Sequence, residues 1–227
     1  MADLLVLVHT IPPLIEVFNR LAAELLPGVR VLHVLDEPLL EQVRQRGHLA
    51  GEDARRLGAH VREAAQIGAD AVLVTCSTVS PCVDAVRRQA EVPVLRIDEV
   101  MIREAIGEGR RIGVIATNRT TLEPTRQLLL AEAERTGRQI DVELVMVEGA
   151  LPALLNGDGA THDRLVRQAV VSLAGRTDVV VLAQASIARV VPLLAQDVLG
   201  ARVLSSPHLA LDQVAQLLKK RVQDDEP

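Results

Sequence analysis

The sequence predicts an α/β fold: two pseudo-symmetric, flavodoxin-like units with parallel sheets, and an active site in the cleft between them. Three observations lead there. Short, branched apolar runs such as Leu4–Val8, Ala71–Val74 and Ile112–Ala116 alternate with amphipathic stretches of helical length, the signature of strands buried on both faces. The pattern restarts near residue 110, and an offset of 108 carries Leu4, Val72, Cys76 and Val94 onto Ile112, Val180, Gln184 and Arg202. Finally, the run Ala71–Val74 ends abruptly in a thiol and three hydroxyls, Cys76-Ser77-Thr78-Val79-Ser80, a change of chemistry that apolar packing does not require.

In order, Leu4–Val8 is a strand ending in His9-Thr10, and Pro12 and Pro13 open a helix to about Leu26, closed by Pro27-Gly28. Val29–Val34 is a strand, and Asp36–Gly47 a polar connection with room for a short helix. A helix over Glu52–Ile67 ends at Gly68, ahead of the Cys76 strand. Val79–Ala90 reads as a helix, and its N-terminus would place free N–H groups beside Cys76. Pro93–Ile97 is a short strand. In the second half the strands are Ile112–Ala116, Ile140–Val147, Val179–Ala183 and Arg202–Ser205. The helices there are Leu122–Arg135, His162–Ala174 and Ile187–Leu199, with Glu148–Gly159 a mobile connection and a helix closing the chain. The domains are then 1–97 plus 206–227, and 98–205.

Composition removes several function classes. The formal charge of -5 argues against a nucleic-acid surface, and Lys219-Lys220-Arg221 sits where a helix C-terminus favours positive charge. Phe18 is the only aromatic residue, so stacking on bases, sugars or flavins is not expected. No apolar stretch reaches the roughly 18 residues of a membrane span, and the N-terminus lacks a signal-like basic segment, so a cytoplasmic location is the expectation. The six histidines show no metal-ligand spacing, Gly157-Asp-Gly159 matches no nucleotide motif, and neither a metal nor an organic cofactor is expected.

Ligands of open parallel sheets bind beyond the carboxyl ends of the strands. The loops there carry His9 and Thr10; Cys76, Ser77 and Thr78; Thr117, Asn118 and Thr121; and Gln184, Ala185 and Ser186. Cys76 is the candidate nucleophile or acid/base, although a thiol at a strand end is equally a small buried hydrophobe. Cys82, six residues on, reads as packing. Ser77 and Thr78 can cap a helix and bind a carboxylate with the same groups, and Thr117–Thr121 reads equally as a turn.

Taken together, Ala69-Asp-Ala-Val-Leu-Val-Thr-Cys76-Ser-Thr, Pro93-Val-Leu-Arg-Ile-Asp98, Arg111-Ile-Gly-Val-Ile-Ala-Thr117 and Thr177-Asp-Val-Val-Val-Leu-Ala-Gln184 resemble the aspartate/glutamate/hydantoin racemase superfamily over nearly the whole chain. The resemblance implies a cofactor-independent enzyme in which two opposed cysteines exchange protons at the carbon alpha to a carboxylate or carbonyl. It makes Cys76 the first acid/base, with Ser77 and Thr78 on the substrate carboxylate, and Thr117, Asn118 and Thr121 on its other side. It also implies a homodimer acting on a small carboxylate. Where the family has its second cysteine this chain has Gln184, whose amide exchanges no proton at neutral pH. A racemase-type enzyme with a Cys76 thiol is therefore the leading reading. A single-cysteine decarboxylase or isomerase, with arylmalonate decarboxylase as the parallel in logic, and a non-catalytic carboxylate-binding protein stand as alternatives.

Overall fold

A computed structural model describes residues 2–194 and 200–224. The chain divides into two compact units, one reaching to Glu99 and taking up the C-terminal segment from Pro207, the other spanning Val100–Ser206. The predicted fold class holds, with a four-stranded, wholly parallel sheet in each unit and helices between successive strands.

In the first unit β1 (Leu4–His9), α1 (Pro13–Leu25), β2 (Arg30–Leu35), α2 (Glu37–Arg46), α3 (Gly51–Gln66), β3 (Ala71–Val74), α4 (Val83–Arg87) and β4 (Val94–Arg96) build a sheet of order β2-β1-β3-β4. Every residue of β1 and β3 is buried, because helices cover both faces of these central strands. Val6, Val8, Val72, Val74 and Cys76 point into one cluster with Leu39 and Val43 of α2 and Leu57 and Val61 of α3. The alternate residues Leu5, Leu7 and Leu73 are fully buried too, as is Phe18 on α1. Burying one such side chain contributes about 1.5–3 kcal/mol.

The second unit contains α5 (Glu99–Glu108), β5 (Arg111–Ala116), α6 (Arg119–Thr136), β6 (Asp141–Met146), α7 (Ala150–Leu155), α8 (Gly159–Ala174), β7 (Val179–Leu182) and β8 (Arg202–Ser205); α9 (Ser206–Asp224) belongs to the first unit from Pro207. Its sheet has the matching order β6-β5-β7-β8. Even the strand starts are tied alike: Asp70 Oδ2 accepts from Leu4 N–H at 2.8 Å, and Asp178 Oδ2 accepts from Arg111 N–H at 2.8 Å.

These matches refine the repeat. Thr75 N–H donates to the Val8 carbonyl at 3.0 Å and Ala183 N–H to the Ile115 carbonyl at 2.9 Å. Leu4 therefore corresponds to Arg111, not Ile112, while Cys76 does correspond to Gln184. Because Val72 pairs with Val94 and Val180 with Val203, the partner of Val94 is Val203 and not Arg202. Loop lengths differ between the copies, so the shift drifts by a residue or more from strand to strand.

Four local expectations change. Val79–Ala90 is a 3-10 turn, Ser80–Cys82, followed by the five-residue α4, because Pro81 disfavours helical geometry at Ser80 and supplies no N–H. Glu148–Gly159 contains α7, which starts after Gly149 at φ +77° and buries Ala150 and Leu151. Helix α5, absent from the sequence reading, buries Met101, Ile102, Ala105 and Ile106 on one face. The segment begun at Ile187 is a 3-10 helix over Ala185–Leu193, and residues 195–199 of the expected helix lie outside the described residues, as do Met1 and 225–227.

At Gly113 in β5 an added Cβ would stand 2.3 Å from Leu173 Cδ2 of α8, so the side chain must be absent for helix and strand to close. Gly113→Ala should lower stability by about 1–3 kcal/mol through overpacking, read from urea unfolding. An unchanged midpoint would refute the close approach. A pH-dependent contribution is expected at Asp178, whose carboxyl is pulled down to about 2 by the Arg111 guanidinium and by the N–H groups of Arg111 and Arg110. A depressed carboxyl stabilises above its ordinary value of 3.8 and loses that effect as pH falls through about 2. The difference in thermal midpoint between wild type and Asp178→Asn should therefore be largest near neutrality and close at about pH 2.

Candidate active site

At the carboxyl end of β3, Cys76 is 7% exposed and lies on the cluster face of the sheet. Burial pushes its thiol pKa up. The Thr10 hydroxyl, the N–H groups of Val79 and Thr78 and the Thr78 hydroxyl act in the opposite sense, because each stabilises a thiolate. The expected contribution of a helix N-terminus is replaced by these loop and side-chain donors, since α4 is too short and too far along the chain. Cys82 is held up to about 11, by burial first and then by Asp53 and Cys76, which suits the packing role expected of it.

The second unit repeats this pairing with different chemistry. Gln184 Oε1 accepts from Thr117 N–H at 2.5 Å and from the Thr117 hydroxyl at 3.0 Å. Thr10–Cys76 and Thr117–Gln184 are thus equivalent pairs across equivalent strands. With the carboxamide oxygen engaged, Gln184 keeps its amide N–H groups as donors. Asn118 caps α6, its side chain accepting from Thr120 N–H at 3.4 Å. Thr121 is fully buried and Ala185 nearly so.

His9 departs from its expected role in substrate contact. It lies on the opposite face of β1 from Thr10, against Phe18, with ring centroids 5.5 Å apart, and both ring nitrogens are engaged by Thr75 and His33. The buried hydroxyls of Ser77 and Ser186, by contrast, have no hydrogen-bond partner among the described residues.

Sequence reasoning gave no role to Asp98, which follows β4 and is fully buried. Burial raises its carboxyl to about 6, opposed by Arg96, whose Nε is 3.6 Å from Oδ1, and by the Ser80 hydroxyl nearby. Neither carboxyl oxygen makes a well-formed hydrogen bond among the described residues. The available signal was an acidic residue closing the short strand Pro93–Ile97, two residues from Arg96. Thr75, His33 and Asn19 were also missed. No spacing motif marks them, because they meet only through strand pairing. Among the described residues no group of three or more His, Cys, Asp or Glu is placed to hold a metal, and no helix is long and apolar enough to cross a membrane.

A family model described as Asp/Glu/Hydantoin racemase matches residues 14–214. The chain belongs to that family. No curated protein is a significant match. Among solved structures, an allantoin racemase from Klebsiella pneumoniae superposes with a TM-score of 0.70 at 19% identity, covering 96% of this chain and 89% of that one. A glutamate racemase from Francisella tularensis, in complex with D-glutamate, gives 0.73 at 12% identity, with 97% and 82% covered. An aspartate racemase from Picrophilus torridus gives 0.68 at 9% identity, with 96% and 94% covered. At such identities the superpositions speak for the fold. This member of the racemase family thus presents one thiol and one tethered amide at equivalent strand ends.

Asp98 provides a test of the charge balance beside the thiol loop. A carboxyl raised from 3.8 to about 6 favours the folded state most below 3.8 and loses that advantage as pH rises through about 6. Asp98→Asn carries no such charge. It should gain roughly 3 kcal/mol on wild type between about pH 4 and pH 7, followed by denaturant unfolding at each pH. A constant difference would mean that Asp98 ionises freely.

Proposed function

We propose that the protein is a cofactor-independent enzyme acting at the carbon alpha to a carboxylate or carbonyl, with Cys76 as the acid/base thiol. The observation that carries this reading is a thiol buried just past the carboxyl end of β3, with the Thr10 and Thr78 hydroxyls close enough to favour its thiolate. Packing alone needs neither hydroxyl. Burial keeps the thiol protonated and ready to donate, while the donors lower the cost of the thiolate left behind, so the sulfur can work in both directions. Ser77 and Thr78 hold the substrate carboxylate in this reading, with Thr117, Asn118, Thr121, Ala185 and Ser186 contributing from the second unit, in a homodimer. The racemase family and the solved relatives, which include allantoin, glutamate and aspartate racemases, support small amino-acid carboxylates and hydantoin-like rings as the substrates to try.

The tether of Gln184 to Thr117 favours one-sided chemistry. An amide whose oxygen is engaged can donate hydrogen bonds to developing negative charge, yet it cannot remove or return a proton at neutral pH. Decarboxylation or isomerisation with Cys76 as the lone proton carrier fits better than symmetric two-thiol racemisation.

The test is an NMR screen of amino acids, hydantoins and substituted malonates in heavy water. Deuterium should enter the alpha position from one face, and Cys76→Ser should reduce the rate by about 10²–10⁴-fold. Equal exchange at both faces would overturn the one-sided reading. Turnover that survives Cys76→Ser would overturn the thiol assignment, and binding of these compounds without turnover would make the protein a carboxylate binder.

A further inference from the structure

Behind the sheet of the first unit a chain of hydrogen bonds runs from the core to the surface. Thr75 Oγ1 contacts His9 Nδ1 at 2.8 Å, His9 Nε2 contacts His33 Nδ1 at 2.8 Å, and His33 Nε2 contacts Asn19 Oδ1 at 2.9 Å. Donated to His9 Nδ1, the single Thr75 hydroxyl proton lets His9 Nε2–H donate to His33 Nδ1 and His33 Nε2–H donate to Asn19 Oδ1, while the Val8 carbonyl oxygen, 3.0 Å from Thr75 Oγ1, competes for the same proton. The two imidazoles stack with centroids 5.1 Å apart. His9 and Thr75 are buried, His33 is half-buried and Asn19 is exposed.

Burying an imidazole in this way is costly, and burial drives the His9 pKa down to about 3. The duplication supplies an internal control. By the strand register, the counterparts of His9, Thr75 and His33 are Ala116, Ala183 and Leu144. The same sheet closes in the second unit with apolar side chains at all three positions, so the fold does not need the polar chain. It stands only behind the strand end that carries the thiol.

We propose that His9 is a positioning residue for Cys76, acting through Thr75. Alternate residues of a strand point to opposite faces, so Thr10 shares the front face with Cys76 while His9 grips Thr75 behind. Held by its hydroxyl, Thr75 fixes the peptide from which Cys76 projects and the aim of the sulfur relative to its donors. The inference rests on the proposed use of the thiol, but its test requires no substrate.

The experiment measures alkylation of Cys76 by iodoacetamide in the full-length protein, resolved by peptide mass spectrometry, with Cys82 of the same chain as reference. Thr75→Val, which keeps shape and removes the hydroxyl, should change the Cys76-to-Cys82 rate ratio by about fivefold, the effect of one lost hydrogen bond. Thr75→Ser should restore it. The pair His9→Ala with Thr75→Ala, copying the second unit, should keep the fold by circular dichroism and show the same change. The exposed-end variant Asn19→Ala should shift the ratio in the same direction by a smaller factor. A ratio within about twofold of wild type in Thr75→Val and in the double variant would overturn the positioning role. Altered ratios in a protein that turns over no alpha-carboxylate or hydantoin would leave positioning intact and remove the proposed reaction. Unaltered ratios in an active enzyme would do the reverse.

Discussion

The parallel pairing of the third strand of each unit against its first is the constraint from which the candidate site follows. Backbone hydrogen bonds fix the register, with Val6 beside Val72 in one unit and Val114 beside Val181 in the other. Once register is fixed, strand alternation decides which side chains meet beyond the last paired residue. In front, Thr10 reaches Cys76 and Thr117 reaches Gln184; behind, His9 reaches Thr75 while Ala116 and Ala183 occupy the equivalent places. A slip of one residue would exchange front for back and leave the thiol without its donors. The apolar residues of these strands, buried almost without exception, are what make such a slip expensive.

Much of this was legible because period and punctuation in the sequence reflect the same constraint. Leu4–Val8, Ala71–Val74 and Ile112–Ala116 could be read as strands, since a short branched apolar run between breakers has few other uses. Gly47 and Gly137 close α2 and α6 in left-handed geometry, as helix-ending glycines should. What could not be read was the competition among neighbours. Helix α5 begins three residues after β4, too close for an intervening polar loop to announce it. At Ser80-Pro81-Cys82 the periodicity suggests a helix, yet the proline dictates a 3-10 turn.

The site was legible to a different degree. Cys76 and its hydroxyl neighbours are consecutive in sequence, and a consecutive cluster announces itself. His9 and His33 come from two strands, Thr75 from the residue after a third and Asn19 from the middle of α1, converging only after pairing is complete. No spacing encodes them. His9 was singled out because it ends a strand, but which face it takes depends on a single position of register. Asp98 is a comparable case, conspicuous only once its burial beside Arg96 is known.

The distribution of unsatisfied polar atoms carries the argument one step further. Leaving a buried polar atom without a partner costs about 1–3 kcal/mol, and a sheet optimised for stability alone would avoid it. Here the Ser77 hydroxyl lies just beyond β3 and that of Ser186 just beyond the equivalent strand β7. Isolated cases such as Thr125 and Gln213 lie elsewhere, on helices. A carboxylate or a hydantoin ring carries the acceptor and donor atoms that such a hydroxyl lacks. An apolar guest would leave both hydroxyls unpaired. The strand end of each unit therefore keeps a polar cost, while the apolar faces beneath it hold the frame rigid.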